Sequence, residues 1–336
     1  MKAFVLRAPG LDSLRIEDMP RPGPIAGGQI RIRMRAASIN YRDTGVLSGA
    51  YGVPGPSGLI PCSDGAGEVV EAAADVTRCK LGDRVALTFN PDWIAGPFRA
   101  TASAMGRGSA RLPGTLREEM VVHHSEAVLL PRHLSFEEGA AYPCAGVTAW
   151  HALCAATPLL PGMSVLLEGS GGVSMLALQF AKLFGARVIM TTSSPERCAR
   201  LKRFGADEVI DYKAQPEWHQ AVRALTDGAG VDLAIDIGGA ETVERSLAST
   251  RLGGRLALVG VLTGRANAVS SLAAAGVDVT PIRVGSRDDF EAMNRAVAFH
   301  ESRPLIDARY RFEQLPEALH HLKSGRHMGK IVIGFD

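Results

Sequence analysis

After residue 135 the sequence alternates between apolar, strand-like runs and segments with helical periodicity, and this alternation strongly constrains the fold. The strand-like runs lie at 164–169, 187–193, 208–212, 231–239, 254–261 and 277–284. Helix-like segments at 173–184, 195–204, 216–227 and 241–251 separate them. Nearly continuous apolar strands are typical of a parallel sheet covered on both faces. The pattern predicts an α/β fold with a doubly wound sheet of six parallel strands.

The residues before 130 follow a different pattern, with short β-like segments separated by glycine and proline. The chain ends with two helix-like segments and a strand-like run at 329–335, which we expect to return to this first region. A length of 336 residues also favours two domains. We predict a β-rich domain at 1–129 and 286–336, and a dinucleotide-binding domain at 130–285.

Composition excludes several classes of function. The formal net charge is +2, without a basic tail, which gives no reason to expect a nucleic acid or an anionic membrane as partner. No apolar run approaches the ~20 residues of a membrane helix. The five cysteines are widely spaced and form no C-x-x-C motif. This usage predicts a cytoplasmic protein without a disulfide framework.

The first strand of the predicted sheet ends in a glycine-rich turn, within "EGSGGVSMLALQFAKLFGA" at 168–186. Glycines at a strand-to-helix turn let the backbone approach a pyrophosphate, and the helix N-terminus offers it free N–H groups. Ser174 replaces the third glycine of the usual motif and is small enough for close packing. The alternative is a tight structural turn. The predicted phosphate contacts are Gly169, Ser170, Gly171, Gly172 and Val173.

The end of the second strand, "TTSSPER" at 191–197, indicates which dinucleotide is bound. An NAD site normally has an acidic residue there for the ribose 2′-hydroxyl, and this segment has none at the strand end. A 2′-phosphate needs hydroxyl donors and a guanidinium. We therefore predict NADP, bound by Thr192, Ser193, Arg197 and Tyr212. The alternative is that Arg197 is a solvated residue of the first helical turn.

Four motifs together resemble the medium-chain dehydrogenase/reductase superfamily, in its zinc-independent, quinone oxidoreductase-like branch. They are "SINYRDTGVLSGAY" (38–51), "CSDGAGEVVEAAADVTRCKLGDRV" (62–85), "PCAGVTAWHAL" (143–153) and "GSGGVSMLALQFAKLFGA" (169–186). The similarity covers essentially the whole chain. It implies a GroES-like β-rich catalytic domain, a Rossmann domain and a homodimer, in which strand 254–261 or 277–284 could pair across two chains.

Zinc-dependent members of that superfamily hold zinc with a Cys matching Asn40, a His-Glu pair matching Ser63-Asp64, and a Cys or acid near Cys144. Cys144 retains a ligand type, whereas Asn40 and Ser63 are poor zinc ligands. Cys62 neighbours a ligand position, but adjacent strand residues point to opposite faces. We therefore expect no zinc, and we expect Asp64 to orient backbone or a basic neighbour.

Without a Lewis acid, a plain ketone or aldehyde loses its main electrophilic assistance. Hydride transfer to a conjugated C=C or a quinone needs less, because hydrogen-bond donors can hold the enolate oxygen. The candidate donors are Asn40, Tyr41, Tyr51 and Thr148, each tyrosine being equally explained as a buried aromatic. Arg42 and Asp43 resemble a local pair that fixes a loop. Trp93 and Phe98, in the aperiodic segment 90–116, could line an apolar pocket or simply pack that loop.

Further cofactor contacts follow from the fold. The ends of the fourth and fifth strands should lie beside the nicotinamide ribose and carboxamide. The residues assigned there are Gly238, Val259 and Val261, and Lys330 in the last strand is expected to reach back to the cofactor.

These features predict an NADPH-dependent oxidoreductase whose partner is a small conjugated carbonyl or quinone. Two alternatives remain at this point. The first is an NADP-dependent alcohol or aldehyde dehydrogenase. The second is an NADPH-binding structural or regulatory protein with little turnover.

Overall fold

The computed structural model describes residues 1–50, 57–101, 105–155, 157–260, 262, 264 and 276–335. Contacts divide the chain into two compact units, Met1–Val147 with Val284–Asp336, and Thr148–Arg283. Segment 130–147 therefore belongs to the first unit, whereas the sequence analysis placed it with the second. Its helix, Phe136–Ala140, packs on strands of the first unit.

The strands are β1 Lys2–Leu6, β2 Leu14–Asp18, β3 Gln29–Ile39, β4 Asp64–Ala72, β5 Arg84–Leu87, β6 Glu119–His123, β7 Ala127–Leu129, β8 Ser164–Glu168, β9 Arg187–Thr192, β10 Glu208–Asp211, β11 Val231–Asp236, β12 Thr250–Leu258, β13 Asp278–Pro281, β14 Ile306–Arg311 and β15 Lys330–Gly334. The helices described are α1 Tyr41–Ser48, α2 Phe136–Ala140, α3 Val147–Cys154, α4 Gly172–Leu183, α5 Pro195–Arg203, α6 Trp218–Leu225, α7 Val243–Ser249, α8 Arg287–Phe299 and α9 Leu315–Lys323. None of these helices is long and apolar enough to cross a membrane.

The first unit is built on a sheet with the order β14-β15-β3-β4-β5-β7, and β6 also pairs with β3. The last strand of the chain lies beside β3, so it returns to the first region of the chain, as expected from the sequence. β3 alternates between buried and partly exposed residues along its first half, as a strand with one buried face does. The register places Ile331 of β15 opposite Ile39 and Asp64 of β4 opposite Ser38. Both neighbours of β3 thus contribute residues to its C-terminal end.

Glycines allow β3 and β4 to lie closely together. A Cβ atom at Gly67 would lie 2.2 Å from the Arg33 carbonyl oxygen, which is a backbone atom. A Cβ atom at Gly65 would lie 2.5 Å from Met34 Cε and 2.7 Å from Thr115 Cβ. Both positions therefore require a residue without a Cβ atom.

Replacing Gly67 with alanine is expected to lower the free energy of unfolding by about 1–3 kcal/mol, because the β3 backbone must move to admit the methyl group. Urea denaturation would measure the change. Gly23→Ala is the matched control, since a Cβ atom there meets no heavy atom within 4 Å. Equal stability of the two variants would contradict the close approach at Gly67.

The second unit contains the predicted doubly wound sheet. Its six strands are all parallel, in the order β10-β9-β8-β11-β12-β13, so the prediction of the fold class is confirmed. One detail was wrong. Strand 254–261 was expected to be able to form an exposed edge, but β12 pairs with β11 on one side and with β13 on the other. The described edge strands are β10 and β13.

The segment 135–156 begins as its capping box predicts. Ser135 Oγ accepts the Glu138 N–H at 3.1 Å, and Glu138 Oε2 accepts the Ser135 N–H at 2.7 Å. The segment is not one regular helix, because a π-helical turn at Tyr142–Gly146 separates α2 from α3. Pro143 lies in that turn and has no N–H to continue the helical ladder.

Candidate functional site

A network of buried polar side chains lies in the first unit, where β15, β3 and β4 run side by side. Lys330, the first residue of β15, donates from Nζ to Asn40 Oδ1 at 2.5 Å and to the Ile39 carbonyl oxygen at 3.0 Å. Its side chain is only 3% exposed. Because an ammonium group can only donate, the Asn40 amide must turn its oxygen toward Lys330.

The network continues from Asn40 to Asp64. Asn40 Nδ2 donates to Ser63 Oγ at 3.3 Å, and Ser63 Oγ donates to Asp64 Oδ1 at 2.7 Å. Asp64 Oδ2 accepts the Cys144 backbone N–H at 3.2 Å and lies 3.9 Å from Lys330 Nζ. The expectation that Asp64 orients backbone and a basic neighbour is confirmed.

Burial dominates the electrostatics of this network. It raises the pKa of the Asp64 carboxyl, and the nearby Lys330 ammonium and the Asn40 amide oppose that rise. Burial also raises the pKa of the Cys144 thiol, and the Asp64 carboxylate adds to the effect. Cys144 is therefore a thiol rather than a thiolate at neutral pH.

The donor set does not suit the zinc ion that zinc-dependent relatives carry. The four matched residues come together, but Asn40 and Ser63 supply an amide and a hydroxyl, and Lys330 places an ammonium among them. A dication there would meet that positive charge at short range. Within the described ranges, no group of three or more His, Cys, Asp or Glu side chains could hold a metal.

Cys62 does not lie in a strand, so the reason given for dismissing it was wrong. It precedes β4, has a positive φ of 75°, and directs its thiol to the Ser38 carbonyl oxygen at 3.2 Å. Burial raises the pKa of this thiol well above its usual value.

Asn40 is held at the start of α1 by its neighbours. Its backbone N–H donates to Asp43 Oδ2 at 2.8 Å. Arg42 Nη1 donates to Asp43 Oδ1 at 2.8 Å and to the Arg107 carbonyl oxygen at 2.8 Å, and Nη2 reaches the Met105 carbonyl oxygen. Arg42 and Asp43 therefore form the local pair that was predicted, and they attach α1 to the loop at 105–107.

The other proposed hydrogen-bond donors differ from Asn40 in their burial and position. Tyr41 is 51% exposed at the start of α1. Thr148 is buried in the second unit, near the start of α3. Tyr51 lies outside the residues that the structure describes. The sequence identified Asn40 as a candidate donor at a position matching a zinc ligand, without indicating its link to Lys330, which is 290 residues away.

Trp93 and Phe98 pack against each other, with ring centroids 5.0 Å apart. Trp93 Nε1 donates to the Gly96 carbonyl oxygen at 2.8 Å, and the Trp93 carbonyl oxygen accepts the Arg287 N–H at the start of α8. These contacts show that the two aromatic side chains pack the loop, which was one of the two expectations; the other was an apolar pocket.

The glycine turn of the second unit leaves open space beside its backbone. Gly169 has a φ of +68°, and Cβ atoms at Gly169 and Gly171 would meet no heavy atom within 4 Å. The N-terminus of α4 carries no side-chain cap and no acidic residue in its first turn, where Val173 lies. Ser174 Oγ donates to the Glu168 carbonyl oxygen at 2.6 Å, which explains the close packing without a third glycine. Ser170, at the centre of the turn, is buried.

The residues proposed for the 2′-phosphate are close together in the fold. Thr192 ends β9, and its carbonyl oxygen accepts the Tyr212 N–H at 2.9 Å. The Thr192 hydroxyl is buried and has no hydrogen-bond partner among the described residues. Ser193 follows it and is half-buried, and Arg197 lies in the first turn of α5. A buried hydroxyl that lacks a partner fits a ligand oxygen at this strand end.

The segments that follow β11 and β12 contain the other residues that the sequence assigned to the cofactor. Val259 donates its N–H to the Asp236 carbonyl oxygen at 2.9 Å. The Gly238 N–H donates to Glu168 Oε2 at 3.1 Å, so this N–H is already used in a hydrogen bond within the protein. Val261 lies outside the described residues.

Two carboxyl groups of the second unit meet at these strand ends, and sequence reasoning did not identify them. Ser246 Oγ lies 2.6 Å from Glu168 Oε1 and 2.7 Å from Asp236 Oδ2. Burial, together with the charge of Asp236, raises the pKa of Glu168 to about 8. The sequence did contain a signal for this pair. Both "SVLLE" and "VDLAID" are strands that end in a carboxylate after apolar residues.

Comparison with known families gives two matches. The alcohol dehydrogenase GroES-like domain matches residues 26–132, and the zinc-binding dehydrogenase family matches residues 172–298.

Curated relatives match over most of their length. A zinc-type alcohol dehydrogenase-like protein of Schizosaccharomyces pombe is 33% identical over 97% of this chain and 96% of its own. A quinone oxidoreductase of Pseudomonas aeruginosa is 36% identical over 74% of this chain and 69% of its own.

Solved structures share the fold. An NAD-dependent alcohol dehydrogenase aligns with a TM-score of 0.88 and 30% identity, covering 99% of both chains. A mycobacterial protein complexed with NADPH aligns with a TM-score of 0.81 and 28% identity, covering 99% of this chain and 100% of its own.

Proposed function

Because the chain belongs to the medium-chain dehydrogenase/reductase superfamily, in its quinone oxidoreductase-like branch, we propose that it is an NADPH-dependent reductase of conjugated carbonyls or quinones that works without zinc. Membership makes the protein an oxidoreductase with a nucleotide cofactor. The observation that carries the finer proposal is the Lys330–Asn40–Ser63–Asp64 network. It puts an ammonium group among the residues that match the zinc ligands of other members.

The preference for NADPH rests on the end of β9. The strand ends in Thr192, whose buried hydroxyl lacks a partner among the described residues, and β9 itself contributes no carboxylate. The nearby carboxylate is that of Asp211, which pairs with Thr192 from β10 and accepts the Lys213 N–H at 2.9 Å. Arg197 can supply the guanidinium that a 2′-phosphate requires. The mycobacterial relative complexed with NADPH supports this preference, and the NAD-dependent relative opposes it.

The residues of the network supply electrostatic assistance. When bound, NADPH would supply the hydride. A conjugated acceptor that gains it at the β-carbon would develop negative charge on the carbonyl oxygen, and a proton from solvent would complete the reduction at the α-carbon. We propose that Asn40 donates from Nδ2 to that oxygen. Lys330 binds the amide oxygen of Asn40 and polarises the amide, so that its N–H groups become stronger donors.

The proposal is tested with matched acceptors. NADPH consumption would be followed at the nicotinamide absorbance band with an α,β-unsaturated ketone, a quinone, the corresponding saturated ketone and an aldehyde. Each assay is run with and without a chelator. We expect turnover of the conjugated acceptors only, at the same rate with chelator present. Turnover of the saturated carbonyl that the chelator abolishes would contradict the proposal.

The second candidate is an alcohol or aldehyde dehydrogenase. The names of the Schizosaccharomyces pombe relative and of the NAD-dependent structure favour it. It predicts oxidation of a secondary alcohol with NADP or NAD, which the same absorbance assay detects in the reverse direction. We further propose a homodimer, in which the edge strand β13, one of the two described edges of the six-stranded sheet, pairs with a second copy.

A further inference from the structure

Glu168, Ser246 and Asp236 lie at the end of the second unit's sheet where the glycine turn begins. Glu168 is the last residue of β8, Asp236 is the last residue of β11, and Ser246 is on α7. Their side chains are 7%, 0% and 1% exposed. Their hydrogen bonds are therefore made with protein groups rather than with bulk water.

Counting protons shows that one carboxyl group is neutral. Ser246 Oγ is within hydrogen-bond distance of both Glu168 Oε1 and Asp236 Oδ2. A serine hydroxyl carries one hydrogen, so it can donate to only one of the two carboxylates. The second contact requires a proton on a carboxyl group, as happens when two carboxylates share one site.

The surroundings assign the proton to Glu168. Both oxygens of Asp236 accept from groups other than Ser246, Oδ1 from the Gly239 N–H at 2.8 Å and Oδ2 from the Thr242 hydroxyl at 2.8 Å. The described partner of Glu168 Oε1 is Ser246, so the shared proton fits on Oε1. A protonated Glu168 Oε1 donates to Ser246 Oγ, which donates in turn to Asp236. The raised pKa of Glu168 agrees with this direction.

The other oxygen of Glu168 holds the backbone at the end of β11. Oε2 accepts the Ile237 N–H at 3.0 Å and the Gly238 N–H at 3.1 Å. This backbone is tightly confined, because a Cβ atom at Gly260 would lie 1.5 Å from the Ile237 carbonyl oxygen. A displaced Glu168 would therefore move the strand end assigned to the nicotinamide.

We propose that Glu168 keeps its proton at neutral pH and acts as a positioning residue, holding the Ile237–Gly238 backbone in the conformation that binds the dinucleotide. The positioning role rests on the proposed dinucleotide site, whereas the proton on Glu168 does not. When Glu168 ionises, its donor to Ser246 is lost and two buried negative charges face each other. The charged group that faces Glu168 is Asp236 of β11, and Ser246 of α7 and the Ile237–Gly238 backbone supply the polar contacts.

The affinity for NADPH is therefore expected to fall as the pH rises. With a pKa of about 8, Glu168 is about one-tenth protonated at pH 9, so the apparent Kd should be about tenfold higher at pH 9 than at pH 7. Glutamine resembles the protonated acid, since its oxygen can accept both N–H groups and its amide can donate to Ser246. Glu168→Gln is expected to have the same Kd at both pH values. Glu208→Gln, on the surface of β10, is the matched control and should retain the pH dependence.

Stability supplies a second measurement that needs no cofactor. A carboxyl group with a raised pKa in the folded protein binds its proton more tightly there than in the unfolded chain. The free energy of unfolding therefore falls as the pH rises from the usual range of a glutamate toward 8, and Glu168→Gln should remove that part of the fall.

The proton itself is detected by ¹³C NMR of the glutamate carboxyl carbons, with the Glu168 resonance identified by its loss in Glu168→Gln. A titration near pH 8 without cofactor supports the proposal, and Asp236→Asn should move it to lower pH. An ionised Glu168 at pH 7 would overturn the proposal, whatever the cofactor does. Equal pH dependence of the Kd in wild type and Glu168→Gln would overturn the positioning role. A protonated Glu168 in a protein that binds neither NADPH nor NADH would instead refute the proposed dinucleotide site, and the positioning role with it.

Discussion

Replacing Lys330 with methionine is expected to lower the free energy of unfolding at pH 8 by about 3 kcal/mol, the cost of leaving one member of a buried ion pair without its partner. Asp64, which is 0% exposed, would lose the nearby ammonium, and Asn40 Oδ1 would lose its donor. Activity should fall as well, because the Asn40 amide would no longer be polarised or held in one orientation. Urea denaturation and the conjugated-acceptor assay would measure the two effects.

The pH dependence of this variant has a definite sign. Burial already raises the pKa of Asp64, and removing Lys330 raises it further. A carboxyl group with a raised folded pKa loses stability as the pH rises, so the deficit of Lys330→Met should be smaller at pH 5 than at pH 8. The double variant Lys330→Met/Asp64→Asn should recover part of the loss. Lys202→Met is the matched control, because its pair with Glu208 is exposed and should contribute less than about 0.5 kcal/mol. A deficit no larger than that of the control would show that the network does not depend on the charge of Lys330.

Replacing Arg197 with alanine is expected to raise the KM for NADPH about 10- to 100-fold and to leave the KM for NADH almost unchanged. The reason is the loss of about 1.5–3 kcal/mol from hydrogen bonds between a guanidinium and the 2′-phosphate, a group that NADH lacks. Initial rates with both cofactors, and fluorescence titration of NADPH without acceptor, would measure the change.

The matched control for this prediction is Arg200→Ala, since Arg200 is an exposed residue of the same helix. Its effect on both cofactors should be small. If Arg197→Ala changes the KM values for NADPH and NADH by the same factor, the guanidinium does not bind the 2′-phosphate. NADP preference would then have to come from Thr192 and Tyr212 or be absent.

Much of the fold could be predicted because its signals are local. The apolar runs of the second unit are long enough to specify six strands, and the glycine turn and the Ser135 capping box specify where helices begin. The order of the strands was not predicted and comes from the structure. The edge was harder to predict, since "GRLALVGV" and "VDVTPIRV" are similarly apolar and only pairing distinguishes an inner strand from an edge strand.

The candidate site could be predicted only in part. The residues matching Asn40, Ser63, Asp64 and Cys144 were identified together because a resemblance groups them, and their hydrogen bonds in the structure agree. Lys330 was assigned to the cofactor, and its described contacts are with Ile39, Asn40 and Asp64. The buried pair of Glu168 and Asp236 was not predicted, because each is a single acidic residue at the end of an apolar strand.

Local sequence patterns specified most strands and helices of the second unit, its doubly wound sheet, the glycine turn before α4 and the residue types at the positions matching a metal site. These depend on spacing along the chain, which periodicity and turn chemistry record directly. The tertiary structure alone decided which polar groups are buried together. The register of β15 on β3 brings an ammonium group to Asn40 from 290 residues away, and the register of β8 on β11 brings two carboxyl groups to one serine. Burial and pairing set the charge of such groups, and neither can be seen until the strands are paired.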